Sequence, residues 1–164
     1  MGLSLNGVIS FEEIEKPGKS YFNFYPDDWK EVLFNQWDKL GEAFSVYSLQ
    51  VEKENAVVGI LFKDHLPELS ELEQRAVGEF QGFSYIGFLY TMPEFRGCGL
   101  GSKWLQLLRQ FYPHAKFWLA IEELELEKFY LKNGFSVWKG NPEHSSEKVL
   151  YWVPPRSSST ALSC

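Results

Sequence analysis

The stretch LYTMPEFRGCGLGSKWLQLL, residues 89–108, constrains the fold more than any other part of the chain. It follows from FSYIGFLYT at 83–91, an almost wholly apolar run with the pattern of a strand covered on both faces. It leads into a helix expected over 99–111, with Leu100, Trp104, Leu107, Leu108 and Phe111 on one stripe. Between the two, Arg96 is followed by the alternating glycines Gly97, Gly99 and Gly101. Glycine there weakens local order and contributes no packing, so the turn needs bare backbone for another reason. A glycine-rich turn at a helix start exposes several N–H groups and the positive end of the helix dipole, which together cradle phosphate. Arg96 adds a cation whose forked geometry suits phosphate oxygens.

The rest of the chain reads as one domain over 1–156 with a small, polar, flexible tail at 157–164. With 164 residues, 45% hydrophobic and 17% aromatic, it can bury a large core. A first strand is expected within 3–15, then a loop at 16–26 anchored by Tyr21, Phe22, Phe24 and Tyr25. Asp27 or Asp28 caps a helix carrying Trp29, Val32, Leu33, Trp37 and Leu40, and Gly41 ends it. A hairpin follows, with strands near 44–52 and 56–63 around KEN. Residues 67–80 read as a helix with Pro67 in its first turn and Leu69, Leu72 and Val77 on one side. Beyond the glycine turn come a buried strand at 116–121, a short helix at 123–132 stopped by Asn133–Gly134, and two final strands in FSVWKG and KVLYWVP.

The net charge of −6 argues against a nucleic-acid partner, which needs a clustered basic surface. Cys98 and Cys164 make neither a disulfide framework nor a zinc site, and a reducing, cytoplasmic setting fits them. No run of about 18 apolar residues predicts a membrane span. The start MGLSLNGVIS lacks the pattern of a signal peptide, and Asn6 stands where myristoylation wants Ser or Thr.

Three readings of the glycines need no family. The ATP-type P-loop fails, because Gly101 is followed by Ser102 and then Lys103, the wrong order. The dinucleotide fingerprint wants a glycine at its sixth position, where Ser102 or Trp104 stands. A tight turn needing only positive φ explains one or two glycines, but not three beside an arginine.

The segment PEFRGCGLG resembles the pyrophosphate loop of the GNAT superfamily of acyl-CoA N-acyltransferases, with Arg96, Gly99 and Gly101 in the defining positions. Downstream, KFYLKNGF resembles the family's second signature through Phe129, Tyr130, Lys132, Gly134 and Phe135. The two lie at the expected separation, and the resemblance covers residues 83–138. It implies an α+β (α/β three-layer) fold: a mixed, mostly antiparallel sheet with helices on both faces. It implies acetyl-CoA as acyl donor, held by the amides of Gly97, Cys98, Gly99, Leu100, Gly101 and Ser102 with Arg96. Leu89, Tyr90 and Thr91 would pair with the pantetheine arm as an added strand does.

By the same resemblance the reaction is acetyl transfer to a primary amine on a small molecule or a peptide, with Tyr130 protonating the leaving thiolate. The family often has a glutamate or water relay on or beside the strand at 83–91, but this strand carries no acid. Glu79, just upstream, is the nearest and is the candidate base; Glu122 and Glu123 end the neighbouring strand. The insert 64–80 is expected to overhang the acceptor cleft. Glu123 departs from the family's frequent coenzyme-contacting asparagine seven residues before the tyrosine. A catalytically silent acyl-CoA-binding module stands as the alternative, and a monomer or a homodimer fits either.

Overall fold

The structure, a computed structural model, describes residues 7–155. Seven strands form one sheet: β1 (Ile9–Ile14), β2 (Phe44–Val51), β3 (Glu54–Phe62), β4 (Ser84–Thr91), β5 (Phe117–Ile121), β6 (Ser136–Val137) and β7 (Lys148–Trp152). Their spatial order is β1-β2-β3-β4-β5-β7-β6. Every neighbouring pair is antiparallel except β4 and β5, which run parallel. Helices α1 (Asp27–Asn35), α2 (Trp37–Leu40) and α3 (Glu71–Ala76) cover one face. Helices α4 (Leu100–Phe111) and α5 (Glu125–Lys132) cover the other. The mixed, mostly antiparallel sheet with helices on both faces is the architecture the chain adopts.

Strand alternation builds both cores at once. On β5, Phe117, Leu119 and Ile121 meet the α4 side, while Trp118 meets the α3 side. On the α4 side, Trp104 is fully buried and its indole N–H donates to the Tyr47 carbonyl at 3.0 Å. Gly59 on β3 makes room for that ring: a Cβ there would lie 2.5 Å from Trp104 Cζ2. Gly59→Ala is therefore expected to overpack the core by about 1–3 kcal/mol and lower the melting temperature by several degrees. A wild-type melting curve by circular dichroism would show that the indole moves aside freely.

Several local expectations are corrected. The helix expected from 27 to 40 breaks at Gln36, which has φ −113°. Its amide donates to the Val32 carbonyl at 3.0 Å and its Oε1 accepts from the Glu68 N–H at 2.6 Å, so a distant loop holds the break. Asp27 and Asp28 lie in the first turn of α1 without capping it, and Pro26 occupies the N-cap. Val32 is 48% exposed rather than part of the buried stripe. The loop 16–26 contains a 3₁₀ helix over Lys19–Phe24 that presses Phe22 and Tyr25 into the core.

Pro67 stands outside α3, which begins at a capping box: Ser70 Oγ accepts from the Glu73 N–H and Glu73 Oε1 accepts from the Ser70 N–H. Residues 77–80 continue it as a tighter 3₁₀ turn. The β2–β3 hairpin turns on Glu52 and Lys53, with φ of 51° and 69°, so β3 starts two residues before the expected 56. Within 3–15 the strand is β1, and its first expected residues lie outside the described ones. FSVWKG contributes only the two residues of β6. On β4, only Tyr85 and Ile86 are buried; the remainder is half-exposed, unlike a strand covered on both faces.

Candidate functional site

That exposure has a topological cause. β4 and β5 pair only at Ser84 with Phe117 and Tyr85 with Trp118, then part. From Ile86 onward β4 keeps β3 on one edge and leaves the other without a strand partner. A β-bulge sharpens the opening: Phe88 and Leu89 oppose the single residue Gly59, and Phe88 has φ 55°. The Tyr25 hydroxyl donates to the Phe88 carbonyl at 2.5 Å and fixes the bulge from the α1 side. Leu89, Tyr90 and Thr91 form the last, half-exposed stretch of this open edge.

The chain then winds through a 3₁₀ turn at Pro93–Phe95 into the glycines. Gly97 has φ 80° and Gly99 φ 76°, the left-handed conformation that side chains resist. Gly99 is the N-cap of α4, and Lys103 N–H to Gly99 O, 3.2 Å, begins the helical ladder. Among the described residues the N–H groups of Gly97 through Ser102 donate to no backbone carbonyl. They cluster at the positive end of a twelve-residue helix. Gly101 is bare for another reason: a Cβ would lie 3.1 Å from the Phe129 ring, where α5 crosses the head of α4.

Arg96 is exposed and folds back over the end of β4. Its Nε donates to the Thr91 carbonyl at 3.0 Å, and its guanidinium lies 5.2 Å from the Tyr90 ring centre. Cys98 is half-buried, its thiol 3.8 Å from the Arg96 carbonyl.

Helix α5 ends in a Schellman motif. The Phe135 N–H donates to the Tyr130 carbonyl at 3.0 Å and the Gly134 N–H to the Leu131 carbonyl at 3.1 Å, with Gly134 at φ 91°. The Phe135 and Tyr130 rings meet at 5.3 Å, which locks Tyr130 against the helix stop. Burial pushes the Tyr130 phenol well above its ordinary range. Among the described residues the Tyr130 hydroxyl has no protein hydrogen-bond partner, although none of their fully enclosed side-chain N or O atoms lacks one.

Asn133 holds α5 to α4: its amide donates to Ser102 Oγ at 3.0 Å, and its carbonyl accepts from Arg109 at 2.7 Å. The sequence marked Asn133 only as a helix stop. Nothing local shows that it reaches Ser102, 31 positions away on another helix.

The open β4 edge, the amide cluster, Arg96 and α5 are thus brought to one end of the sheet. Glu79 is not. It is exposed, accepts from the Trp138 indole N–H at 3.1 Å, and borders an open cavity of about 610 Å³ with Phe83, Lys139 and Tyr151. Phe83 precedes the paired end of β4, about 20 Å along the strand from Leu89 at some 3.3 Å per residue. Glu122 and Glu123 are exposed just beyond β5.

A family model described as the acetyltransferase (GNAT) family matches residues 10–135. No curated protein sequence matches the chain. Among solved structures, FeeM, an N-acyl amino acid synthase from uncultured soil microbes, superposes with a TM-score of 0.62 at 8% identity, over 92% of this chain and 93% of its own. An acetyltransferase of Bacillus subtilis, solved with CoA, gives 0.58 at 12%, over 89% of this chain and 99% of its own. The IAA acetyltransferase of Bacillus cereus gives 0.57 at 13%, over the same shares. At such identities the superpositions speak for the fold alone, whereas the family model extends from β1 through Tyr130 and the Gly134 stop: the chain belongs to the GNAT family of acetyltransferases.

Proposed function

We propose that the protein transfers an acetyl group from acetyl-CoA to a primary amine by direct attack on the thioester, in the cytoplasm. The observation that carries this reading is the pairing of free amides at the head of α4 with the unpaired edge of β4. Phosphates need the first and an extended amide-bearing arm needs the second. The pyrophosphate would sit on the N–H groups of Gly97 through Ser102, with Arg96 beside it. The pantetheine would run along Leu89, Tyr90 and Thr91. A backbone N–H at the bulge, near Leu89 or Tyr90, is the candidate donor to the tetrahedral oxyanion. Tyr130 is the candidate acid for the thiolate. Glu79 is given no role in this reading, since its carboxylate accepts from the Trp138 indole beside a cavity bordered by Phe83, Lys139 and Tyr151. The CoA in the Bacillus subtilis neighbour is consistent with the choice of donor.

Calorimetric titration with acetyl-CoA, followed by thiol release with a panel of amines, tests the reading. Acetyl-CoA is expected to bind and at least one amine to turn over. Binding of nucleotides but not acetyl-CoA would overturn it. Binding without turnover of any amine would leave an acyl-CoA-binding module instead. Arg96→Ala is expected to weaken acetyl-CoA by about 1.5–3 kcal/mol, the range for a charge-assisted contact, or roughly ten- to 150-fold in Kd. An unchanged Kd at low salt would remove Arg96 from the site.

A further inference from the structure

We infer that Tyr85 and Glu73 form the pair that takes the proton from the acceptor amine, at the point where β4 and β5 part. The inference rests on the acyl-transfer reading above and supplies the base that β4 itself lacks.

Tyr85 belongs to the last paired position between the two strands. Its ring lies on the α3 side of the sheet, 4.8 Å from Trp118 and 6.0 Å from Phe62. The phosphate-binding turn heads α4, on the other side. A coenzyme entering from α4 and an amine entering from the opposite face would meet in the gap, with Tyr85 at its base. Trp29, Phe88 and Tyr90 line the same face farther along.

The Tyr85 hydroxyl donates to Glu73 Oε2, and Glu73 Oε1 accepts from the Ser70 N–H at 2.8 Å. Glu73 is 6% exposed. Among the described residues no Lys, Arg or His lies within ion-pair distance of it. The groups facing the pair add negative charge instead. Ser70 Oγ donates to Glu147 Oε2 at 2.6 Å, which brings a second carboxylate close, and Glu122 acts on Tyr85 from the end of β5. Lys148, next to Glu147, is engaged by Glu127 at 2.8 Å.

A carboxylate buried without a cation is a standing cost. The cap on α3 does not require it, since glutamine serves a capping box equally well. What glutamate adds is the capacity to take a proton. Burial, reinforced by Glu147, holds the Glu73 carboxyl above the usual carboxylate range, and burial also raises the Tyr85 phenol.

The bound ammonium gives one proton to the Tyr85 oxygen while the Tyr85 hydroxyl proton passes to Glu73. The amine nitrogen then bonds the thioester carbon, the C–S electron pair goes to sulfur, and sulfur takes the Tyr130 proton. The surplus N–H proton restores Tyr130 through solvent, and Glu73 later releases its own to water. The sum is thioester plus ammonium giving amide, CoA thiol and one proton.

The test is the pH dependence of kcat/KM, with acetyl-CoA and primary amines whose pKa lies near 10. The probes are 2-phenylethylamine, spermidine and a tripeptide with a free N-terminus. With Glu73 as base, wild-type kcat/KM rises through the Glu73 titration and then levels off, because the enzyme deprotonates the bound ammonium itself. Glu73→Gln must wait for amine already neutral in solution. Its kcat/KM is expected to fall about 10²-fold at pH 7 and to climb tenfold per pH unit toward 10, closing on wild type.

Glu73→Gln keeps the α3 cap. Tyr85→Phe keeps the ring against Trp118 and is expected to show the same profile, so a folding defect in one variant does not decide the matter. In both, acetyl-CoA affinity is expected to stay within about twofold of wild type. A wild-type profile in either folded variant, or a loss equal at every pH, overturns the relay while leaving the acyl-transfer reading intact. A wild-type protein that binds acetyl-CoA but acetylates none of these amines overturns both.

Discussion

Gly99→Val is expected to abolish measurable acetyl-CoA binding in a protein that still folds. Gly99 holds the left-handed conformation, φ 76°, at the N-cap of α4, and a valine there carries about 1–2 kcal/mol of strain. Nothing lies within 4 Å of the Cβ position, so the fold is expected to tolerate the side chain. The proposed phosphate cradle is not expected to tolerate it. Either valine keeps φ positive and stands over the amides, or the turn relaxes and the amides of Gly97 through Ser102 cease to converge. Gly99→Asn separates the two effects, because asparagine accepts the left-handed region; it is expected to lose part of the affinity with little change in melting temperature. Calorimetry reads both variants. Wild-type affinity in a folded Gly99→Val protein would refute the amide cradle.

Tyr130→Phe is expected to preserve acetyl-CoA binding and to lower kcat about 10²-fold, the low end for general acid catalysis. The ring keeps its packing against Phe129 and Phe135, at 4.9 and 5.3 Å, so positioning survives and only the hydroxyl is lost. The effect is modest because a thiolate of pKa about 8.5 is already a fair leaving group, and burial makes this phenol a weaker acid than usual. The sign of that shift has a second consequence. A phenol whose pKa is raised stays protonated through the neutral and mildly alkaline range, so Tyr130 should impose no fall in kcat below about pH 10. A series of acyl donors with increasingly acidic thiols completes the test, since the defect should shrink as the leaving group needs less help. Equal defects across the series would leave Tyr130 as a positioning residue.

The turn and the helix that follows it were legible in the sequence because their determinants are local. Leu100, Trp104 and Leu108 of the expected α4 stripe are buried, whereas Leu107 is half-buried and Phe111, at the helix end, is 52% exposed. Gly97 and Gly99 adopt positive φ, the tight-turn conformation the sequence reading held insufficient to explain all three glycines. Asn133 and Gly134 end α5 within a residue of the expected stop. In each case the deciding interaction spans a few residues, the range over which backbone sterics and capping act. The carboxylate that meets Tyr85 was not legible. Glu73 and Glu79 lie in one short segment, and Glu79 is nearer in sequence to the strand. The turn of α3 buries Glu73 against Tyr85, while the 3₁₀ continuation leaves Glu79 exposed beside Trp138. The capping box from Ser70 to Glu73 was a readable sign of where α3 starts, but not of what its glutamate would meet.

The sequence by itself determined the elements, the glycine turn at a helix head and the family they belong to, because periodicity, left-handed glycines and short motifs act through near neighbours. Only the tertiary structure decided that β4 parts from β5 after Tyr85, that Phe88 and Leu89 bulge opposite Gly59, and which carboxylate Tyr85 bonds. Those features depend on hydrogen-bond register between strands distant in sequence and on two helical layers packing against opposite faces of one sheet. The spacing of residues along a single strand carries neither.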